Sequence, residues 1–284
     1  MNLDTYRAPV AMSDAGRNAA LFEGLPHDVG GLAKVVQGLL LHWHISPAYG
    51  AKLNEAQLAE PHIRGVEPML ERIVAHDPKP LSDARPEAER LVTVCRHFTL
   101  LHVAMLRRQG VAARARCGFG AYFQEGMLLD HWVTEYWNEG QHRWVLVDAQ
   151  LDARQRELFK IDFDPLDVPR EQFLVAGQAW ELCRAGKADP NAFAILDMHG
   201  LWLIASNVIR DVAALNNREM LPWDIWGAMT QNDAELDLPF IDRLAELSHR
   251  PDEHLDALSA VYQDERIAVP GTVFNAVLNR PDQV

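Results

Sequence analysis

Residues 131–148 read His-Trp-Val-Thr-Glu-Tyr-Trp, then Asn-Glu-Gly-Gln, then His-Arg-Trp-Val-Leu-Val-Asp. Two runs rich in aromatic and β-branched residues flank a cluster of turn-forming residues, a pattern that suits an antiparallel hairpin far better than a helix. A tight turn over residues 138–141 predicts Trp137 opposite His142, Glu135 opposite Trp144, Val133 opposite Leu146 and His131 opposite Asp148. Side chains alternate along a strand, so His131, Val133, Glu135 and Trp137 share a face with His142, Trp144, Leu146 and Asp148. An imidazole and a carboxylate are thereby expected to emerge together. Trp132, Tyr136, Trp137 and Trp144 are expected mainly to pack the sheet.

Upstream, residues 95–108 carry a helical stripe of Val94, Phe98, Leu101 and Met105, with Thr99 and His102 on the neighbouring face beside Cys95. Gly110 is the expected stop, and Arg107 and Arg108 favour the negative end of the helix dipole. A cysteine thus sits near the start of a core helix. A helical run from about Pro86 is predicted to precede it, with Thr93 available as a cap. Residues 111–123, with Gly118 and Gly120, suit a strand that bends or allows close backbone approach.

Around this centre, residues 31–41 and 61–75 have helical apolar spacing, and Pro78 and Pro80 mark a connector. Residues 151–180 are a mixed connector leading into a helix to about Cys183. Asp189-Pro190-Asn191 is predicted to open a helix running through Leu215, and residues 281–284 a mobile end. Trp223 and Trp226 are assigned to packing.

The formal net charge of -13 opposes a nonspecific grip on phosphate backbones, so no nucleic-acid partner is expected. An acidic ligand would need a local positive site. Arg114 and Arg116, at alternate positions of one strand, can supply it or be paired within the protein. No basic leader with an apolar run, and no apolar window near the ~20 residues that cross a bilayer, is found, which predicts a cytoplasmic protein with no membrane partner. Three cysteines, Cys95, Cys117 and Cys183, form no fully paired disulfide set and have no metal-ligand spacing, in keeping with a reducing compartment. His42-Trp43-His44 is a weak metal signal, since no carboxylate or cysteine cluster completes a first shell. A lid, a substrate wall or core packing is the expected role. No Walker loop, Rossmann glycine pattern or tandem repeat is found, and no cofactor or metal is expected.

Cys95, His131 and Asp148 make chemical sense as a set. A thiol attacks only as thiolate, and near neutral pH an unperturbed one is mostly protonated. His131 can take that proton and later give it to a leaving amine, while Asp148 orients the other ring nitrogen. Amides at the start of the Cys95 helix can favour the thiolate and a developing oxyanion. Cys117 and Cys183 lack such company and are read as structural. Arg96 either supports an acidic substrate or ties down the helix, and His97 faces away from Cys95.

The segments Cys95-Arg96-His97, Gly110-Val111-Ala112-Ala113-Arg114, His131-Trp132-Val133-Thr134-Glu135-Tyr136-Trp137 and Trp144-Val145-Leu146-Val147-Asp148 resemble the core of the transglutaminase-like superfamily over about residues 85–152. The resemblance implies an α+β, papain-type core, with the nucleophile helix packed on an antiparallel sheet and additional helices around it. It implies Cys95 as nucleophile, His131 as general base and acid, Asp148 as the orienting residue, and Glu135 as a brace of the hairpin. Ala112-Ala113 departs from the proline-containing junction more common there. Residues 1–84 are then a helical and loop region packing on the core, 85–152 the catalytic core, and 153–284 a largely helical extension of the same unit. The implied chemistry is a thioester acyl-enzyme formed from a small-molecule or peptide amide. Hydrolysis is the first reading, transfer to an amine acceptor the second, and a noncatalytic binding protein the third.

Overall fold

A computed structural model describes residues 3–284. The architecture is α+β, and the chain divides into two compact units. The first comprises Leu3–Arg114 and Val133–Val168, the second Ala115–Trp132 and Pro169–Val284.

In the first unit, helix α1 (Val29–Leu39) starts where the Asp28 carboxylate accepts the Gly31 N–H at 2.7 Å. It runs directly into strand β1 (Leu40–His42). Helices α2 (Glu55–Ala59) and α3 (Val66–His76) follow, the latter burying Val66, Met69, Leu70 and Ile73. The helical run expected from Pro86 is replaced by one short turn and strand β2 (Leu91–Thr93), which pairs in parallel with β1, Leu40 opposite Leu91 and His42 opposite Thr93. A strand buried on both faces has no alternation, so three apolar or β-branched residues look the same as a helix segment. Thr93 therefore lies in the strand, and Val94, in extended conformation, occupies the cap position of the next helix.

That helix, α4 (Cys95–Arg108), has the expected bounds. Gly110 closes it at φ +77°, its N–H on the Arg107 carbonyl and that of Val111 on the Leu106 carbonyl. Burial extends all round α4 rather than along one stripe, taking in Arg96, His97, Thr99, His102 and Arg107. The helix packs against α1 and α3. Next come strands β3 (Ala113–Gly120), β4 (Leu128–Asn138) and β5 (Arg143–Val147), then helix α5 (Ala153–Leu158). Thr134 of β4 meets α4 through the Thr99 carbonyl at 3.5 Å and His102 Nδ1 at 3.1 Å, which sets the helix against the hairpin.

In the second unit, strand β6 (Phe173–Val175) lies antiparallel to β3. A Cβ on Gly118 would meet the Leu174 carbonyl at 2.1 Å, the close backbone approach expected of this glycine. Helix α6 (Ala176–Arg184) follows. The long helix expected from Asp189 begins instead at Leu201: a turn at Pro190–Ala192 leads to strands β7 (Phe193–Ile195) and β8 (Met198–His199) before α7 (Leu201–Leu215). Leu196 and Gly200, at φ +54° and +116°, break the helical path on either side of β8. The strand order is β6-β3-β4-β7-β8, with β4 and β7 parallel, so this sheet is mixed where an antiparallel one was expected.

Strand β9 (Asp224–Ile225), helices α8 (Leu238–His249) and α9 (Leu255–Val261), and strands β10 (Thr272–Asn275) and β11 (Arg280–Gln283) complete the unit. Helices α6, α7 and α8 pack together, and at Gly177 a Cβ would meet the Ala245 carbonyl at 2.3 Å. The terminal segment expected to be mobile is the edge strand β11, paired with β10. Pro281 is tolerated there because an edge strand has one unused row of donors. Among the described residues no helix is long and apolar enough to cross a membrane.

Candidate active site

Cys95 is the first residue of α4, a free thiol 6% exposed. The opening amides of a helix have no intrahelical acceptor and carry its positive end, so this is where an anion is favoured. His97, two residues on within the first turn, is fully buried. Its Nδ1 faces the Val94 N–H at 3.4 Å and its Nε2 the Ile63 carbonyl at 2.7 Å, a donor on one nitrogen and an acceptor on the other, as only the neutral ring provides. Burial first, and the neighbouring Arg96 charge second, push its pKa down to about 3. His97 thus ties the helix start to residue 63. Arg96 is wholly buried, as suits a support of the helix.

Asp148 follows β5 directly and is 1% exposed. Its Oδ1 accepts the Gln150 N–H at 3.0 Å, and its own N–H leaves the ladder for the Pro165 carbonyl at 2.8 Å. The hairpin register differs from expectation by two residues: Trp137 lies opposite Trp144, Glu135 opposite Leu146 and Thr134 opposite Val147. Residues 139–142 form a four-residue loop, with the Gln141 N–H on the Asn138 carbonyl and His142 at φ +49°. Continued by one step, this register sets Asp148 opposite Val133, so the expected direct His131–Asp148 pairing is replaced. A two-residue shift leaves the alternation unchanged, and the assignment of faces stands.

His131 lies on β4 in the second unit, 2% exposed, whereas Cys95 and Asp148 belong to the first. Its ring is edged by Phe123 at 4.7 Å, Tyr122 at 6.0 Å and Phe173 at 6.4 Å between centroids. The adjacent Asp130 accepts the Asn207 side-chain N–H at 2.9 Å, and burial pushes its carboxyl pKa up against the opposing pull of Arg210, Asn207 and His131.

The remaining candidates are mostly internal partners. Arg114 Nε donates to Glu135 at 2.7 Å with both side chains buried, and the guanidinium lies 3.9 Å over the Trp144 ring. Arg116 grips Asp211 through two nitrogens at 3.1 and 2.8 Å and also donates to the Ser248 carbonyl. Neither arginine is at the surface, so both fit structural pairing better than acidic-ligand capture. His42 ends β1, and Trp43 stacks on His44 at 5.1 Å with the rings 8° apart. Burial lowers the pKa of His44. No group of three His, Cys, Asp or Glu side chains among the described residues could hold a metal ion.

Sequence reasoning passed over Tyr49, Gln150, Asp152 and Gln155. The only local signal was the spacing of Asp152 and Gln155, a helix-capping pattern realised when the Gln155 N–H meets Asp152 Oδ1 at 2.9 Å. Tyr49 hydroxyl donates to Asp152 Oδ2 at 2.7 Å, a contact across about a hundred residues that no local pattern encodes.

Residues 71–149 match the model of the transglutaminase-like superfamily, a span that includes Cys95, His131 and Asp148. No curated protein matches the chain. The crystal structure of red sea bream transglutaminase is similar at 15% identity with a TM-score of 0.31, over 48% of this chain and 26% of that one. The chain thus spans about a quarter of that protein's length.

Proposed function

Because the chain carries a transglutaminase-like superfamily core at residues 71–149, we propose that it is a cysteine-dependent amide or peptide hydrolase working through a thioester on Cys95. The observation that carries this reading is the place of Cys95, first residue of the fourteen-residue helix α4. In this reading the Cys95 thiolate attacks the substrate carbonyl carbon, and its proton resides on His131. The carbonyl oxygen becomes an oxyanion that helix-start amides can stabilise. Collapse breaks the carbon–nitrogen bond, His131 gives its proton to the departing amine, and a thioester remains. Water then attacks with its proton passing to His131, and return of that proton to sulfur releases the acid. Asp148 holds the imidazole in the required tautomer.

The test is intact-mass detection of an acyl adduct during turnover of a panel of amide and ester donors, including p-nitrophenyl acetate, with and without a primary amine. Wild-type protein is expected to gain one acyl group mapped to Cys95 and to release free acid, and Cys95→Ala to fold and do neither. Equal labelling of wild type and folded Cys95→Ala would remove Cys95 as nucleophile. Incorporation of the amine in preference to water would replace hydrolysis by transamidation.

A further inference from the structure

A chain of hydrogen bonds runs through the first unit from residue 49 to residue 148, side chain to side chain as far as Gln150 and then from its backbone N–H to Asp148. Tyr49 hydroxyl donates to Asp152 Oδ2 at 2.7 Å. With its one proton committed, the hydroxyl oxygen accepts from Gln155 Nε2 at 3.1 Å. The Gln155 amide is thereby oriented, its Oε1 accepting from Gln150 Nε2 at 2.9 Å. Gln150 in turn sends its backbone N–H to Asp148 Oδ1 at 3.0 Å. One direct consequence is that Gln150 Oε1 must point away from the chain, and it is buried with no partner among the described residues. An orphaned buried acceptor is unfavourable, so the rest of the chain holds Gln150 in place against that cost.

We infer that Tyr49, with Gln155 and Gln150, is a positioning residue for Asp148: the chain fixes the loop that presents the carboxylate, and through it the histidine. The inference rests on the proposed function, in which Asp148 orients the imidazole. The charged groups around Tyr49 are Asp152, Arg154, whose guanidinium lies 5.2 Å over the phenol ring, and Arg90. Burial, and then the bond to Asp152, raise the phenol pKa, so the hydroxyl remains a donor throughout the working pH range. Removing that hydroxyl frees Gln155 to turn its amide, which releases Gln150 and loosens the Asp148 loop without touching either reacting group.

The experiment is a double-mutant cycle on the full chain using Tyr49→Phe, Asp148→Asn and the combination, with Gln155→Leu breaking the same chain one link later. The readouts are the pH–rate profile of Cys95 alkylation by iodoacetamide, mapped by peptide mass, and p-nitrophenyl acetate turnover. Losing one oriented hydrogen bond should slow both reactions about 3- to 10-fold at neutral pH. The acidic limb of the alkylation profile should move to higher pH, circular dichroism should stay native, and Gln155→Leu should reproduce the effect. In the Asp148→Asn background Tyr49→Phe should add less than about 2-fold, because the group being positioned is already gone. An unchanged profile in Tyr49→Phe, or equal losses in both backgrounds, overturns the positioning role and leaves the proposed function standing. No Cys95 acyl adduct in wild type overturns both.

Discussion

Glu135 and Arg114 form an ion pair in which each side chain is about 1% exposed. Arg114 is also held between the Trp144 and Tyr6 rings, at 3.9 and 5.2 Å from their centroids. Such a pair contributes little net stability, because desolvating two charges offsets their attraction, yet losing one partner strands the other in an apolar setting. Glu135→Leu is therefore expected to destabilise the protein by about 3–5 kcal/mol in urea unfolding, and Arg114→Met with Glu135→Leu to recover most of that loss. A double variant as unstable as the single would show that the pair is more than an internally compensated unit. At this scale the sequence was informative about residue types. It left Arg114 and Arg116 open between ligand capture and pairing, since their partners Glu135 and Asp211 lie 21 and 95 positions away.

At the scale of elements, the β4–β5 hairpin was legible in its existence and its faces but not in its register. Alternation has a period of two and is blind to a shift of two. The loop sets the register, and here His142 takes a left-handed conformation at φ +49°, which lets four residues rather than two span the turn. A side chain bearing a Cβ costs about 1–2 kcal/mol in that region, partly offset by the entropy glycine loses on folding. His142→Gly should accordingly raise stability by about 1 kcal/mol, and His142→Val lower it, measured as shifts of the urea midpoint at constant slope. No gain from glycine would mean that the loop does not hold this conformation in solution. Helix α4 was legible to both ends because its stop is chemical: Gly110 alone can sit comfortably at φ +77°. Strands β2, β7 and β8 were not, since each is two or three residues long, too short to show a period, and β2 and β7 find ladder partners remote in sequence, on β1 and β4.

Over the whole molecule, stability should depend on two histidines of α4 that fold as neutral rings. His97 and His102 are held at about 3 and about 4, in each case first by burial, against 6.5 when unfolded. Their folded values are depressed, so below about pH 6.5 the unfolded chain binds protons that the folded chain refuses, and stability falls as pH drops toward 4. Together they should remove about 3–4 kcal/mol between pH 7 and pH 5. His97→Gln and His102→Gln should each roughly halve this slope in urea titrations across that range, whatever their effect at pH 7. A slope unchanged in both variants would exclude these rings as its source. The sequence by itself determined what local physics can determine: the bounds of α4 and the faces of the hairpin. Those signals act through backbone conformation and side-chain period within a turn or two of chain. Tertiary structure alone decided the pairing of β2 with β1 and of β7 with β4, the neutral state of His97 and His102, and the bond from Tyr49 to Asp152. Each of these depends on burial or on a partner supplied by a distant segment, which only the folded chain brings within hydrogen-bonding distance.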